Sequence, residues 1–329
     1  MNILIFGGAG FIGLSLAARA LEQGHDVTLF DRAAPPAFAL AAFADLPGTC
    51  RAVTGDVTDK EGVADAMAPG FDIVILGAAI TAGSARDAAD PETILNVNLL
   101  AQTPILRQAC ATGVRRVVNL SSAAAYGGAG ARVAELDEDC PGDPVGLYAI
   151  SKWASERVGA RLASLWGLDL VSVRLTGVFG PYEYATGARD TLSPLFQIMR
   201  AAHRGEPALL ERPGLRDWGY GPDIAGAILR IAAAPAPRHR LYNISTGAAF
   251  SALDWGRALM ASRPGFVCRL AAPGEAATID LHGQGDRAPL SIARFAGEFD
   301  WRAGHDRDAS AADLDAWWRR HGDHLDRGP

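Results

Sequence analysis

Tyr148 and Lys152 stand four residues apart in Tyr148-Ala149-Ile150-Ser151-Lys152, a spacing that on a helix sets both side chains on one face. A free phenol titrates near pH ~10, too high for a base at neutral pH, but a neighbouring ammonium favours the phenolate. The two are therefore a candidate proton-transfer couple with Tyr148 as acid/base and Lys152 tuning it. The plainer alternative is a half-buried helix tyrosine, because YxxxK is common by chance; a third residue decides. Ser122, in Asn119-Leu120-Ser121-Ser122-Ala123-Ala124-Ala125-Tyr126-Gly127, sits at the C-terminal end of a β-like run, where open α/β sheets place their ligands. Its hydroxyl can hold a substrate oxygen against Tyr148.

Near the N-terminus, Gly7-Gly8-Ala9-Gly10-Phe11-Ile12-Gly13 fits GxxGxxG between an apolar run and a helical stretch, the setting of a dinucleotide site. One glycine permits the tight turn, another lets backbone approach a pyrophosphate, and the third allows close helix packing. The helix N-terminus adds oriented N–H groups, so Gly7, Gly10, Phe11, Ile12 and Gly13 are assigned to the cofactor. Asp31 ends the next apolar run, about 20 residues on, where a carboxylate accepts from ribose hydroxyls. It would repel a 2′-phosphate, which favours NAD over NADP. Arg32 beside it could swing onto such a phosphate or simply be solvated. Asp56-Val57 either holds the adenine ring or, for Asp56, caps a turn before Thr58-Asp59. A bound nicotinium ring would further favour the Tyr148 phenolate.

These residues need a frame. Short apolar runs at Asn2 to Phe6, Val27 to Phe30, Ala52 to Val53, Ile73 to Leu76, Arg116 to Leu120 and Leu170 to Leu175 alternate with helical patterns. The helices are expected at Phe11 to Gln23, Asp59 to Met67, Pro91 to Ala111 and Gly146 to Trp166. Such alternation predicts βαβ units: an α/β, Rossmann-type doubly wound parallel sheet covered on both faces. The cofactor domain is expected over 1–178 and a smaller mixed α/β substrate domain over 179–329. Helices are also expected at Leu192 to Arg204, Asp223 to Ala233 and Ala309 to His321. The Asp223 helix and a strand at Leu241 to Ile244 could return to the main sheet.

Composition sets outer bounds. With 329 residues, 49% hydrophobic and 21% charged, the chain can bury a sizeable core and is not of a disordered type. A net charge of -6 with no dense basic run argues against a nucleic-acid partner. Cys50, Cys110, Cys140 and Cys268 are too scattered for a metal or redox pair. No apolar stretch reaches the roughly 18 residues of a membrane helix, and Met1 to Phe6 carries no leader signature, so a cytoplasmic protein is expected.

Together the motifs resemble the short-chain dehydrogenase/reductase superfamily, specifically its extended, epimerase/dehydratase-like branch. Beyond the glycines, Ser122, Tyr148 and Lys152, the likeness includes Gly77-Ala78-Ala79, Asn98, Tyr126-Gly127, Arg174-Leu175 with Phe179-Gly180-Pro181, Arg216-Asp217-Trp218 with Asp223-Ile224-Ala225, and Gly285-Asp286 with Trp301. The resemblance implies hydride-transfer chemistry in which Tyr148 is the general acid/base, Lys152 holds the nicotinamide ribose and Ser122 orients the reacting oxygen. It places Ala78, Ala79 and Asn98 at the cofactor, and Thr81, Thr176 and Gly177 on the substrate side. It also implies a homodimer through the helices at Pro91 to Ala111 and Gly146 to Trp166.

Dehydratases of this branch carry an acidic pair directly after the catalytic hydroxyl residue, because eliminating water needs a second acid and base; here Ala123 and Ala124 stand there. Sugar-nucleotide epimerases grip a pyrophosphate with cations and amides. Arg216 matches one such arginine, but His282-Gly283-Gln284 replaces another and Gly177 an asparagine. Arg189 and His282 could instead meet the carboxylate of a small sugar acid, or be surface charge and turn residue. The sequence thus favours an NAD-dependent oxidoreductase acting on a secondary alcohol or ketone of a carbohydrate-like small molecule, a sugar or sugar acid. A UDP-sugar 4-epimerase with tightly bound NAD is the alternative. A non-catalytic NAD-sensing protein is the third reading, against which the intact Ser122, Tyr148 and Lys152 set argues.

Overall fold

Seven short apolar runs become one parallel sheet. In chain order they are β1 (Asn2–Phe6), β2 (Asp26–Asp31), β3 (Cys50–Thr54), β4 (Ile73–Leu76), β5 (Arg116–Ser122), β6 (Leu170–Leu175) and β7 (Leu241–Ile244). Their spatial order is β7-β6-β5-β4-β1-β2-β3. Ile3, Leu4, Ile5 and Phe6 are fully buried, as expected of strands with helices on both faces, and their unbroken apolar character follows from that. The computed structural model describes residues 1–283 and 285–326; Gln284, singled out above, lies outside them.

The strand order reverses between β1 and β4, which opens a crevice at the C-terminal strand ends. Gly7 follows β1, Gly77 follows β4 and Ser122 ends β5, so the segments of interest meet at this crevice. Segment 221–244 lies with the sheet: the Gly221–Ala233 helix packs against Phe11–Glu22, and β7 pairs with β6.

The stretch from Pro91 to Ala111 is not one helix. It divides into Pro91–Leu95, a π-turn at Asn96–Leu100 and Gln102–Ala111. The wider turn includes Asn98, which is 1% exposed. The Leu147–Trp166 helix has its first N–H capped by the Asp87 carboxylate at 2.9 Å and ends on Gly167 in the left-handed conformation.

A second apolar cluster lies beyond the sheet, built from Leu195, Ile198, Met199, Trp255, Trp317 and Trp318. Its Pro194–Arg204 helix starts where Ser193 Oγ accepts from Phe196 N at 3.1 Å, with Pro194 in the first turn, and stops at left-handed Gly205. The tail helix is longer than its apolar pattern, Arg307–Asp326. Helices also form at Ala37–Phe43, Ser84–Ala89, Ala252–Met260 and Ala293–Phe299, where none is expected from the sequence; three of these are short, whereas Ala252–Met260 does bury residues at helical spacing, Ala252, Trp255, Gly256 and Leu259. Among the described residues no helix is long and apolar enough to cross a membrane, no acidic, histidine and cysteine group could hold a metal, and the four cysteines are free.

Candidate active site

The crevice is a cleft of about 530 Å³ that opens into a recess of about 130 Å³. Gly7, Gly10, Phe11, Ile12 and Gly13 line the cleft. Gly7 has φ +80°, and a β-carbon there would fall 2.5 Å from Ala78 N. At Gly13 it would fall 2.3 Å from Gly7 O. Only glycine permits this turn. Gly10 caps the helix without a side chain in the way, leaving the first-turn N–H groups open to an anion. This cradle fits a dinucleotide pyrophosphate.

The recess is lined by Asp31, Arg32, Asp56, Val57, Ala78 and Ala79. Asp31 Oδ2 accepts from Ala9 N at 3.1 Å and its Oδ1 from Ala33 N at 3.3 Å, which fixes the carboxylate at the rim. Asp56 is both wall and cap: its Oδ1 accepts from Thr58 N at 2.8 Å and Thr58 Oγ1 at 2.7 Å. Those bonds hold its carboxyl below the usual range. Asn98 does not line the cleft. It works from behind, accepting from Ile80 N at 2.7 Å and donating to Ile80 O at 3.0 Å and Ser151 Oγ at 3.1 Å, so it pins the backbone just past Ala78-Ala79.

Ser122, Tyr148 and Lys152 face the same cleft. Ser122 Oγ accepts from Ala124 N at 3.1 Å, which orients the hydroxyl and leaves its proton to donate. Lys152 is 3% exposed, and its Nζ donates to Leu120 O at 2.8 Å. Burial lowers its pKa from 10.5 to about 8, against the opposing pull of Glu156. Tyr148, Lys152 and Glu156 recur every four residues on one helix face. Glu156 is itself held by Arg174 through bonds of 2.9 and 2.7 Å and by the Ser121 hydroxyl. Arg174 in turn lies over the Tyr126 ring, 4.4 Å from its centroid. Tyr126 and Arg174 thereby brace the end of β5 from behind.

The opposite wall carries Thr81, Thr176, Gly177, Arg189 and Arg216, with Glu183, Trp218, His282 and Arg287. Gly177 leaves no room for a side chain, since a β-carbon would meet the Trp218 ring at 2.8 Å. That indole also supports Arg216, whose guanidinium lies 5.0 Å from the ring centroid. Among the described residues Arg216 makes no ion pair. Burial first, and then the nearby Arg287 charge, lower its pKa to about 10. Arg287 donates to Thr176 Oγ1 at 3.1 Å and Asp217 Oδ1 at 3.0 Å, while among the described residues its other terminal nitrogen is buried without a hydrogen-bond partner.

Arg189 and His282, which the sequence left open, both line the cleft and both have partners inside the fold: Arg189 pairs at 3.1 Å with buried Glu183, and His282 Nε2 lies 2.9 Å from Leu192 O, with burial lowering its pKa. Conversely, sequence reasoning missed Arg287, although it directly follows the Gly285-Asp286 dipeptide noted above. It also missed Glu183 and Tyr184, for which no spacing signal exists.

Comparison with known proteins places this geometry. The chain is 28% identical over 262 residues to a UDP-glucose 4-epimerase of Corynebacterium glutamicum, covering 76% of this chain and 77% of that protein. It is 28% identical over 270 residues to a dTDP-glucose 4,6-dehydratase of Streptomyces niveus, covering 80% and 77%. Among solved structures it resembles MoeE5 in complex with UDP-glucose and NAD, with a TM-score of 0.76, 25% identity, and 97% and 99% of the two chains covered. Its fold also matches a UDP-glucose 4-epimerase of Thermotoga maritima with a TM-score of 0.80 at 21% identity, covering 97% and 99%. Residues 3–245 match the model of the NAD dependent epimerase/dehydratase family, and the chain belongs to that family of NAD-dependent enzymes.

Proposed function

We propose that this chain interconverts nucleotide-diphosphate sugars by oxidising a secondary alcohol and reducing the resulting ketone, an epimerase-type reaction. One observation carries the reading. Arg216 and Arg287 line the cleft that also holds Tyr148; among the described residues Arg216 makes no ion pair, and Arg287, though paired with Asp217 at 3.0 Å, keeps its other terminal nitrogen buried without a hydrogen-bond partner. An unpaired guanidinium beside a second one with an unused donor suits a diphosphate. The carbohydrate activities of the relatives agree with this reading.

Bound NAD supplies the acceptor and donor of hydride at its nicotinamide. Tyr148 takes the alcohol proton and later returns it, while Ser122 donates to the same oxygen and holds it in reach. Lys152 stabilises the phenolate through its charge. Among the described residues the cleft offers no free acid/base pair for losing water: Ala123 and Ala124 present only methyl groups, and the lining carboxyl, Glu183 on the opposite wall, is engaged with Ser193 and Arg189. A dehydrogenase of small sugar acids is second, because Arg189 and His282, its candidate carboxylate receptors, are already engaged.

In this reading 1–178 with the returning 215–245 segment carries the cofactor, and the rest of the chain closes over the substrate. Leu100, Ile150, Val158 and Leu165 are exposed on the helices expected to pair, which supports a homodimer; light scattering at micromolar concentration tests it, a monomer refuting it. Free thiols suit a reducing, cytoplasmic compartment. The activity test is incubation with UDP-glucose, following the C4 epimer by NMR. Epimer without net NADH supports the proposal. NADH accumulation on a sugar acid, with no reaction of nucleotide sugars, supports the second reading, and NAD binding without turnover of any sugar supports a sensor.

A further inference from the structure

The segment after Gly180-Pro181 does not follow one wall of the cleft; it crosses it. Tyr184, Thr186 and Ala188 line both the main cleft and the adenosine-side recess, as do Gly7 and Gly10 from below. On one bank, Tyr184 Oη donates to Ala9 O in the glycine turn at 2.7 Å. On the other bank the segment is stitched to the loop after β4. Thr81 N donates to Ala188 O at 2.8 Å and Asp190 N to Thr81 O at 3.1 Å. Gly83 N donates to Asp190 Oδ2 at 2.8 Å, and Arg86 reaches Gly187 O at 3.0 Å and Asp190 Oδ1 at 3.2 Å. At its base Glu183, 1% exposed, accepts from Ser193 N at 2.7 Å and Ser193 Oγ at 2.6 Å.

A dinucleotide reaching from the recess to Tyr148 passes between the glycine turn and this segment. We propose that residues 184–190 form a strap that holds NAD in place, so that the cofactor leaves only when both rows of contacts open together. Tyr184 and Thr186 are then cofactor-positioning residues from a part of the chain outside the glycine motif. Slow exchange suits a reaction that returns NAD to its starting state within each turnover, and this inference rests on the NAD site rather than on the identity of the sugar.

The test uses the full chain loaded with NAD and freed of excess. Retained cofactor is measured after timed incubation with a NAD-consuming hydrolase and rapid desalting. Two variants are compared with the parent: Tyr184→Phe, which removes one hydroxyl, and Arg86→Ala, which cuts the distal stitching to Gly187 and Asp190 from a partly exposed side chain. One lost hydrogen bond corresponds to roughly fivefold, so release should quicken about fivefold in each and tenfold or more in the double variant. Circular dichroism checks that all remain folded. Release at the parental rate in the folded double variant would overturn the strap, as would a parent that binds NAD by calorimetry yet loses it within the mixing time. A parent with no calorimetric NAD binding would overturn the strap and the cofactor site together.

Discussion

The two walls of the cleft are built on different principles. The wall bearing Ser122, Tyr148 and Lys152 comes from the end of β5 and one face of a single long helix, braced by the buried Glu156–Arg174 pair. The wall bearing Arg216 and Arg287 comes from short strands and irregular chain, with the two guanidiniums 71 positions apart in sequence. On the proposed function, the first wall has to fix atoms to fractions of an ångström for proton transfer, while the second needs only positive charge within reach of an anion. Chemistry would then be tied to fixed spacing on one side and recognition less so on the other.

The sharpest way to break this contrast is at the first wall. Tyr148→Phe removes only the ionisable oxygen and should lower turnover about 10²–10⁴-fold while leaving NAD binding by calorimetry within a few-fold. Retained turnover would remove Tyr148 from the chemistry. At the same wall the burial of Lys152 carries a cost in stability. Its ammonium is buried in the fold with a pKa near 8 against 10.5 when free. Below pH 8 the lysine is charged in both folded and unfolded states, so the cost of burying the charge is fully present. Between about 8 and 10.5 the folded state releases its proton first, and stability rises with pH. Lys152→Met should thus melt higher than the parent at pH 7, by roughly 1.5–3 °C for a gain of about 1–2 kcal/mol in a chain of this length, with a smaller gap at pH 9.5 and with activity lost. An equal or lower melting temperature at pH 7 would contradict the buried-charge account.

A smaller effect belongs to the adenosine end. Asp31→Ser removes the carboxylate that faces a 2′-phosphate and should improve NADP binding relative to NAD about tenfold, read by calorimetry with both nucleotides. An unchanged ratio would take Asp31 out of cofactor selection.

The legibility of the molecule follows the same division. The sheet strands were readable because strands buried on both faces must be continuously apolar, as Ile3 to Phe6 are, and the glycine turn because Gly7 and Gly13 admit no β-carbon. The π-turn at Asn96–Leu100 was not, since one extra residue in a helical turn leaves the apolar pattern nearly intact. Nor was Arg287: its place is set by Asp217 and Thr176, partners remote in sequence. Arg189 and His282 stayed open in the sequence for the same reason, because their partners Glu183 and Leu192 O are likewise set by the fold. The proposed strap leaves no sequence mark, as its ties join positions about a hundred or more residues apart, some through backbone and some through the Tyr184, Asp190 and Arg86 side chains.

The central claim is that the second wall is a diphosphate grip. It is tested most directly by calorimetric titration of the NAD-loaded protein with UDP and dTDP, in the parent and in Arg287→Gln. The account predicts micromolar binding of at least one nucleotide, weakened about 10–100-fold in the variant, the range of a lost charge-assisted hydrogen bond. No binding to the parent, or equal binding to both proteins, would contradict it.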